Sequence, residues 1–322
     1  MTQKTLAQLN FKDISDWFIH VDSPEDSIVY PLGQRVKGYS KLQGYADRII
    51  AASEKCRNKD DFSITVEGLP LRLSRFRDVE KETLSVRRGE SSVPNIDDLS
   101  LPNHIVDIIS DNKLLKTGLI IVSGAHGGGK STTCAAIVKR RLESAGGIAR
   151  TIEDPIEFPL SGALGKGFCF QTALNGSLPY EQEMELEIKK AMRGYPTGQY
   201  GILMFGEIRD ASTAAEALRA SLAGRLVICT IHANNIQDVL FRVVSRAQGR
   251  MGSDEIYDVL KSSLKLIIHQ DIKAGKLIAK SLIRTGKLAS ILHHKKLDGI
   301  IDETNRQSVM TNQGQKLGVL YD

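Results

Sequence analysis

The segment from Gly124 to Ser131 constrains the fold of this chain more than any other part of the sequence. It reads Gly-Ala-His-Gly-Gly-Gly-Lys-Ser and fits the pattern G-x-x-x-x-G-K-[ST]. The apolar run LIIVS precedes it as a predicted strand, and TTCAAIVKRRLE follows it as a predicted helix. Glycines there let the backbone turn its N–H groups towards anionic oxygens, and the helix adds the positive end of its dipole. The sequence therefore predicts a strand, a phosphate-binding loop and a helix.

The loop residues divide the expected contacts between backbone and side chains. Lys130 is expected to reach the β- and γ-phosphates, and the Ser131 hydroxyl is expected to ligate Mg²⁺. Spacing and flanking elements alone justify only a nucleoside triphosphate site. Its candidate ligands in the loop are Gly127, Gly128, Gly129, Lys130, Ser131 and Thr132.

Further apolar runs predict an α/β fold built on a parallel sheet. The segment IARTIED is predicted to be a further strand, and the later runs GILMFGE and LVICTIH are short and continuous, as expected of strands buried on both faces. The segment ASTAAEALRASLA predicts a helix that Gly224 ends. One apolar stripe predicts a mostly helical carboxy-terminal third; its members are Ile256, Val259, Leu260, Leu264, Ile267 and Ile268.

The length of the chain and one polar segment predict two domains. The 322 residues exceed the usual size of a single core, and RGESSVPNIDDLSLPN, rich in Ser, Pro, Asn and Asp, is typical of a linker. We place an amino-terminal domain with its linker at residues 1–112 and the α/β domain at residues 113–322. The first part alternates the strand-like runs DSIVY, SITVEG and LRLSRF with a helical stretch from Gly44 to Cys56, which predicts a small α+β domain.

Acidic residues follow two of the predicted strands, where a parallel sheet places its ligands. Glu207 ends the run GILMFGE and is a candidate to hold the water shell of Mg²⁺ or to polarise the attacking water. Glu153, Asp154 and Glu157 in TIEDPIEF form a second cluster, and any one of them could orient or deprotonate that water. Each group taken alone is equally compatible with a carboxylate on a surface turn.

One histidine also follows a predicted strand. A lone histidine is more often structural than catalytic, but the position of His232 after the strand in CTIHANN favours a role in the site. His126 within the loop, and His293 and His294 in a basic segment, are expected to be non-catalytic.

Charge and composition limit the remaining classes of function. The net charge of +5 comes from Lys and Arg scattered among acidic residues, which gives no strong nucleic-acid signal. The four cysteines are widely separated and none forms a CxxC pair, so we expect reduced thiols and neither a zinc site nor a disulfide framework. The amino terminus lacks the pattern of a signal peptide, and no apolar run approaches the about 20 residues of a transmembrane helix. We therefore expect a cytoplasmic protein.

Four segments in order, GAHGGGKSTT, TIEDPIEF, GILMFGEIRD and TIHANN, resemble the Walker A, Asp, Walker B and His boxes of the secretion and pilus traffic ATPases. The resemblance is to PilT/GspE-like proteins, nearest to the Dot/Icm ATPase DotB and its conjugative relatives called TraJ, and covers roughly Leu71 to Arg246. It implies a RecA-like ATPase domain, a smaller PAS-like amino-terminal domain and a homo-hexameric motor that uses ATP and Mg²⁺. It also implies peripheral association with the inner-membrane complex of a type IVB secretion, conjugative or type IV pilus apparatus.

The resemblance further implies roles for individual residues. Glu153 matches the Asp-box glutamate proposed as the catalytic base, and Glu207 matches the Walker B glutamate near Mg²⁺. His232 matches the His-box residue thought to sense the γ-phosphate. Arg193 and Arg209 also match family arginines. Arginines of the amino-terminal domain contribute to the nucleotide site in this family, and the candidates here are Arg72, Arg75, Arg77, Arg87 and Arg88.

Two departures from the family pattern stand out. His126 occupies a position where relatives usually have Thr, and the stretch Gly198–Gly201 lacks the acidic residue that pilus enzymes carry before the Walker B strand. The zinc-binding cysteine module of type II secretion enzymes is also absent, which favours the pilus or the Dot/Icm and conjugative branches.

Two other classes of function stay open. A RecA-like nucleic-acid motor or helicase would need basic and aromatic residues interleaved near the nucleotide motifs, which this sequence does not show. A non-catalytic nucleotide-binding scaffold would be expected to lose a catalytic carboxylate, whereas Glu153 and Glu207 are both present.

Overall fold

A computed structural model describes residues 5–320 except 31–32, 58, 78, 80, 91 and 175. The chain divides into two compact units. The amino-terminal unit comprises Met1–Ser92, Asp154–Pro159 and Ala173–Ser177, and the second unit comprises Val93–Glu153, Leu160–Thr172 and Leu178–Asp322.

The amino-terminal unit is an antiparallel sheet with one long helix. Its elements are β1 (Asp16–His20), β2 (Ile28–Val29), β3 (Gln34–Arg35), α1 (Ser40–Ser53), β4 (Asp61–Val66), β5 (Leu69–Arg77) and β6 (Glu82–Arg88). The strand order is β3-β2-β1-β6-β5-β4. Alternation along the strands buries one face, as at Trp17 and Ile19 of β1, and α1 contributes Leu42 and Ile49 to the same core. The predicted α+β character of this part is confirmed.

The second unit has a mixed sheet flanked by helices. It begins with α2 (Asn103–Ser110), β7 (Gly118–Ser123), α3 (Lys130–Ala145), β8 (Gly147–Glu153), β9 (Gly162–Leu164), β10 (Gly167–Ala173), α4 (Tyr180–Arg193) and β11 (Gly201–Glu207). It continues with α5 (Ala211–Leu222), β12 (Leu226–Ile231), α6 (Ile236–Ala247), α7 (Ser253–Ser263), β13 (Leu264–Lys273), β14 (Lys276–Ile283), α8 (Gly286–His293) and α9 (Ile300–Asn312).

The sheet of the second unit has the order β14-β13-β7-β12-β11-β8-β10-β9. The five strands from β13 to β8 pair in parallel, whereas β14 pairs antiparallel with β13, and β9 with β10. The residues of β7 and β12 are buried along their whole length, which explains their continuous apolar runs. This arrangement confirms the predicted α/β fold. Within the described residues, no helix is long and apolar enough to cross a bilayer.

The prediction of a mostly helical carboxy-terminal third is wrong in part. Ile256, Val259 and Leu260 lie on α7 as predicted, but this helix ends at Ser263. The remaining apolar residues belong to β13, where Ile268 pairs with Val122 of the loop-bearing strand. Periodicity cannot tell a short apolar run in a buried strand from a helix segment. Backbone pairing with β7 therefore decided the structure of this segment.

The structural division after Ser92 precedes the predicted boundary at residue 112 by 20 residues (112 − 92). The intervening segment is bound to α3. Lys139 Nζ donates to Val93 O at 3.1 Å and to Asn95 Oδ1 at 2.7 Å. The fully buried Arg141 continues this attachment. Its guanidinium donates to the carbonyls of Ile109 (3.2 Å), Asp111 (3.1 Å) and Leu115 (2.9 Å), to Asn112 Oδ1 (2.9 Å) and to Tyr200 Oη (3.2 Å).

Candidate active site

Four neighbouring parallel strands carry the predicted site residues at one edge of the sheet. The phosphate loop follows β7, His232 follows β12, Glu207 ends β11 and Glu153 ends β8, and the strands lie in that spatial order. Because neighbouring strands are about 4.8 Å apart, β11 lies about 10 Å and β8 about 14 Å from β7. The structure therefore brings these residues into one row.

The phosphate loop is a cradle that side chains would disrupt. A Cβ atom on Gly124 would lie 2.1 Å from Gln270 O, so the loop begins in contact with β13. Gly127 and Gly129 have φ angles of 74° and 75°, a left-handed conformation that favours glycine. Helix α3 starts at Lys130, so its first N–H groups, including those of Lys130, Ser131 and Thr132, have no partner within the helix. These features fit an anionic phosphate ligand.

Lys130 links the loop to the histidine at the end of the neighbouring strand. Its Nζ donates to Gly124 O at 3.2 Å and Ala125 O at 2.8 Å, and lies 3.4 Å from His232 Nδ1. Because an ammonium group can only donate, this contact favours the His232 tautomer that carries its proton on Nε2.

His232 Nε2 lies 3.7 Å from Glu207 Oε1, and the Glu207 side chain is only 17% exposed. Burial lowers the pKa of His232 below its usual 6.5; Glu207 opposes this shift, and Lys130 adds to it. This shift favours the neutral form of the imidazole. His126 lies parallel to it, with ring centroids 6.2 Å apart, so the unusual loop residue is a neighbour of His232.

A second contact orients the other oxygen of Glu207. Arg209 Nε donates to Glu207 Oε2 at 3.0 Å, and the same guanidinium lies over the ring of Tyr180, 4.4 Å from its centroid. Tyr180 Oη also donates to the Glu207 carbonyl at 3.4 Å. The carboxylate of Glu207 therefore has His232 beside one oxygen and Arg209 beside the other.

Glu153 is buried, with 7% of its surface exposed. Its Oε1 accepts hydrogen bonds from Thr151 Oγ1 at 2.5 Å and Gln171 Nε2 at 2.9 Å, which orient the carboxyl group. The alternatives in the same segment, Asp154 and Glu157, belong to the amino-terminal unit. The assignment of Glu153 as the base stays a prediction.

The five candidate arginines of the amino-terminal unit differ in their own contacts. Arg75 forms an ion pair with Glu82 and its guanidinium also donates to Ser53 O at 3.3 Å. Arg87 Nε donates to Asp16 Oδ1 at 2.9 Å. The others lie on β5 and β6, where Arg72 and Arg77 are exposed and Arg88 is half-buried. Their contribution to a nucleotide site stays a prediction.

Gln270 is a site residue that the sequence analysis missed. It lies on β13, is 1% exposed, and its Nε2 donates to the carbonyl of Gly128 in the loop at 2.6 Å. A polar residue at the end of the apolar run LKLIIH was the available signal, but this run was predicted to be helical.

Oxygen ligands suited to Mg²⁺ come from two elements, the start of α3 and the end of β11. Among the described residues, no group of three or more His, Cys, Asp or Glu could hold a metal ion without help. A loop hydroxyl, one carboxylate, phosphate oxygens and water form the usual Mg²⁺ environment beside a nucleotide. Ser131 and Glu207 fit that role.

Comparison with known proteins agrees with this geometry. The family model described as "Type II/IV secretion system protein" matches residues 50–297. The chain belongs to this family. Among its relatives, the "Type IV pilus ATPase PilU" of Pseudomonas aeruginosa is 28% identical over 256 residues, which cover 76% of this chain and 61% of PilU. The "Type IV pilus assembly ATPase PilB" of Thermus thermophilus is 31% identical over 175 residues, or 54% of this chain and 18% of PilB. This member of the family thus spans less than two thirds of either relative.

Solved structures show the same fold. The pilus retraction motor PilT with bound ADP has a TM-score of 0.70 and 23% identity, and the match covers 98% of this chain and 91% of PilT. The Legionella pneumophila ATPase DotB has a TM-score of 0.69 and 20% identity, with 93% and 84% of the two chains covered. The expected resemblance to secretion and pilus traffic ATPases is confirmed.

Proposed function

We propose that this chain is a Mg²⁺-dependent ATPase that powers a secretion or pilus machine of the type II/IV family. The observation that carries the proposal is the row formed by the phosphate loop, His232 and Glu207. A glycine-rich turn that binds nothing would not be expected to have Lys130, an imidazole and an oriented carboxylate side by side at one end of the parallel strands. The ATPase names of the relatives PilU and PilB support the same activity.

In the proposed reaction, the loop N–H groups and Lys130 bind the phosphates and stabilise their charge. Ser131 and Glu207 would hold Mg²⁺, which would supply further charge neutralisation at the phosphates. Arg209 fixes one oxygen of Glu207 by a hydrogen bond of 3.0 Å. His232, which lies between Lys130 and Glu207, would contact the γ-phosphate. Glu153 is the proposed general base that orients or deprotonates the water.

We further propose that the active form is a homo-hexamer, bound at the inner membrane to a type IVB secretion, conjugative or related type IV pilus apparatus. Arginines of the amino-terminal unit would complete the nucleotide site because guanidinium groups stay charged and bind phosphate oxygens in pairs. The family membership and the fold shared with PilT and DotB support this proposal.

Phosphate release by purified protein tests the enzymatic activity. Lys130→Ala and Glu207→Gln are expected to lower kcat at least about 100-fold, the usual effect of losing one preorganised electrostatic contact. Lys190→Ala and Glu187→Gln are matched controls, because these two residues form an ion pair with each other on the surface of α4. Equal rates for wild type, Lys130→Ala and Glu207→Gln would refute the enzyme and favour a scaffold.

Two further measurements test the biological role. Light scattering with ATP is expected to show six copies of the 35.4 kDa chain, and a monomer under all conditions would contradict the ring. In a deletion strain, wild-type protein but not Glu207→Gln is expected to restore secretion, conjugation or pilus function, whichever the strain has lost. Salt-sensitive binding to DNA or RNA together with stimulated hydrolysis would instead favour the nucleic-acid motor.

A further inference from the structure

Gln270 contacts the phosphate loop from the side opposite to His232 and Glu207. The pairing of β13 with β7 ends at His269 and Ser123, so Gln270 is the next residue on its strand just where the loop begins. Its side chain is buried and its Nε2 donates to Gly128 O at 2.6 Å. The loop is therefore bound by a residue that lies outside all four boxes.

The backbone of Gln270 holds a second point of the loop. A Cβ atom on Gly124 would lie 2.1 Å from Gln270 O, and one on Gly128 would lie 3.4 Å from the same oxygen. The first glycine of the loop thus packs directly on this carbonyl, while the side chain binds the carbonyl of Gly128. One residue contacts both the start and the middle of the loop.

Stability alone does not explain a glutamine at this position. Its NH₂ group must face Gly128 O, because a carbonyl oxygen can only accept a hydrogen bond. The other atom of the amide, Oε1, is buried and has no hydrogen-bond partner in the described part of the chain. A buried polar atom without a partner carries a desolvation cost that an apolar side chain of similar shape avoids.

We propose that Gln270 is a positioning residue of the nucleotide site, which sets the orientation of the peptide unit between Gly128 and Gly129. A trans peptide is planar, so its C=O and N–H groups point in opposite directions. Fixing Gly128 O towards Gln270 therefore directs the Gly129 N–H to the other side, where the loop would bind phosphate. The inference rests on the proposed function, namely that this loop binds ATP.

Both residues of this peptide unit are glycines, which resist rotation less than any other residue. Without Gln270, the unit can flip and present a carbonyl oxygen to the phosphates, which repels them. The apparent Kd rises as the inverse of the fraction of loops that are competent to bind, so a competent fraction of about one tenth weakens binding about tenfold. His232 and Glu207 lie at the ends of other strands, and kcat is expected to change less than about twofold.

The test compares Gln270→Met with Gln307→Met in the full chain. Gln307 is also buried and lies on α9, far from the phosphate loop in sequence. Its Nε2 donates to Ile283 O at 2.9 Å. Gln270→Met is expected to weaken binding of a fluorescent ADP analogue about tenfold and to raise the KM for ATP similarly. Gln307→Met is expected to lower the unfolding temperature at least as much as Gln270→Met does while leaving the nucleotide Kd within about twofold of wild type, because it removes hydrogen bonds to Ile283 and Glu303 and none to the loop.

A Gln270→Met protein that binds the analogue within twofold of wild type would overturn the inference. Equal weakening in both variants would also overturn it, because the effect would then follow from stability. Lys130→Ala separates this result from failure of the proposed function. If Lys130→Ala binds nucleotide as tightly as wild type, the loop is not the nucleotide site at all.

Gln270→Glu provides a second readout, which also serves if Gln270→Met does not fold. Glutamates buried as deeply as this position reach a pKa of about 8–9, so the introduced carboxyl is expected to titrate between pH 6 and 8.5. A protonated carboxyl can donate an O–H to Gly128 O, whereas a carboxylate repels that oxygen. The ratio of the Kd of this variant to that of wild type is therefore expected to fall when the pH is lowered from 8.5 to 6. A ratio that stays the same at both pH values contradicts the proposed hydrogen bond.

Discussion

Replacing Arg141 by Met is expected to destabilise the second unit strongly. Arg141 lies on α3, the helix that begins at Lys130, and its guanidinium is fully buried. It donates hydrogen bonds to three backbone carbonyls between Ile109 and Leu115, and also to Asn112 and Tyr200. Methionine has a similar length but no donor, so the three carbonyls would lose this partner.

The magnitude follows from these contacts. Each buried carbonyl left without a partner costs about 1–3 kcal/mol, or about 3–9 kcal/mol for three. Removing the arginine also removes the desolvation penalty of a buried charge, which offsets part of this loss. A net loss of about 3–5 kcal/mol, in the lower half of the range for three carbonyls, is therefore expected. At about 2–4 °C per kcal/mol for a domain of this size, the Tm falls by about 6–20 °C.

Scanning calorimetry measures this change, and the neighbouring residue supplies the control. Arg140 lies next to Arg141 on α3 but forms an ion pair with Asp97, in which the two side chains are 29% and 59% exposed. Such an exposed pair is worth about 0–1 kcal/mol, so Arg140→Met is expected to lower the Tm by less than about 4 °C. Equal shifts for the two variants would refute the assignment of the stability to the buried hydrogen bonds.

Two further outcomes follow from burial. Three of the four cysteines are buried, and burial raises the pKa of the Cys169 thiol to about 12. A thiol reagent at pH 8 is therefore expected to modify only Cys56 in the native chain. Labelling of more than one thiol per chain before unfolding would contradict this prediction. Burial lowers the pKa of His104 in the folded chain below its usual 6.5. As the pH falls below 6.5, the unfolded chain therefore binds more protons than the folded chain. The free energy of unfolding decreases over this range until the pH has passed the folded pKa. His104→Gln, which keeps a polar group near Ser281 Oγ, is expected to reduce this loss in urea titrations between pH 7.5 and 5, and an unchanged pH dependence excludes His104 as a cause.

Local pattern predicted the elements that surround the phosphate loop. Strands β7 and β12 are buried along their whole length and β11 along its first five residues, and each appears in the sequence as a short, continuous apolar run. Strand β8 differs, because Arg150 and Thr151 lie between its apolar residues. The phosphate loop follows β7, His232 follows β12, and Glu207 and Glu153 are the last residues of β11 and β8. Because parallel strands end at one edge of a sheet, a one-dimensional pattern was sufficient to place these residues together.

The same logic failed where the partner of a segment lies far away in sequence. The run that became β13 has no feature that distinguishes a strand from a helix, and its pairing with β7 joins residues such as Ile268 and Val122. The segment before residue 112 looks like a linker, yet Arg141 holds its end against α3. Neither contact leaves a periodic signal.

The sequence by itself determined that this chain has a phosphate loop between a strand and a helix, an α/β second domain and the four boxes of its family. These properties depend on neighbouring residues, through glycine conformation, apolar runs and the start of a helix. Only the tertiary structure decided that β13 lies beside β7 and that Gln270 binds Gly128 O. That contact joins residues far apart in the chain, and it exists because backbone pairing and burial bring the end of one strand against the loop that follows another.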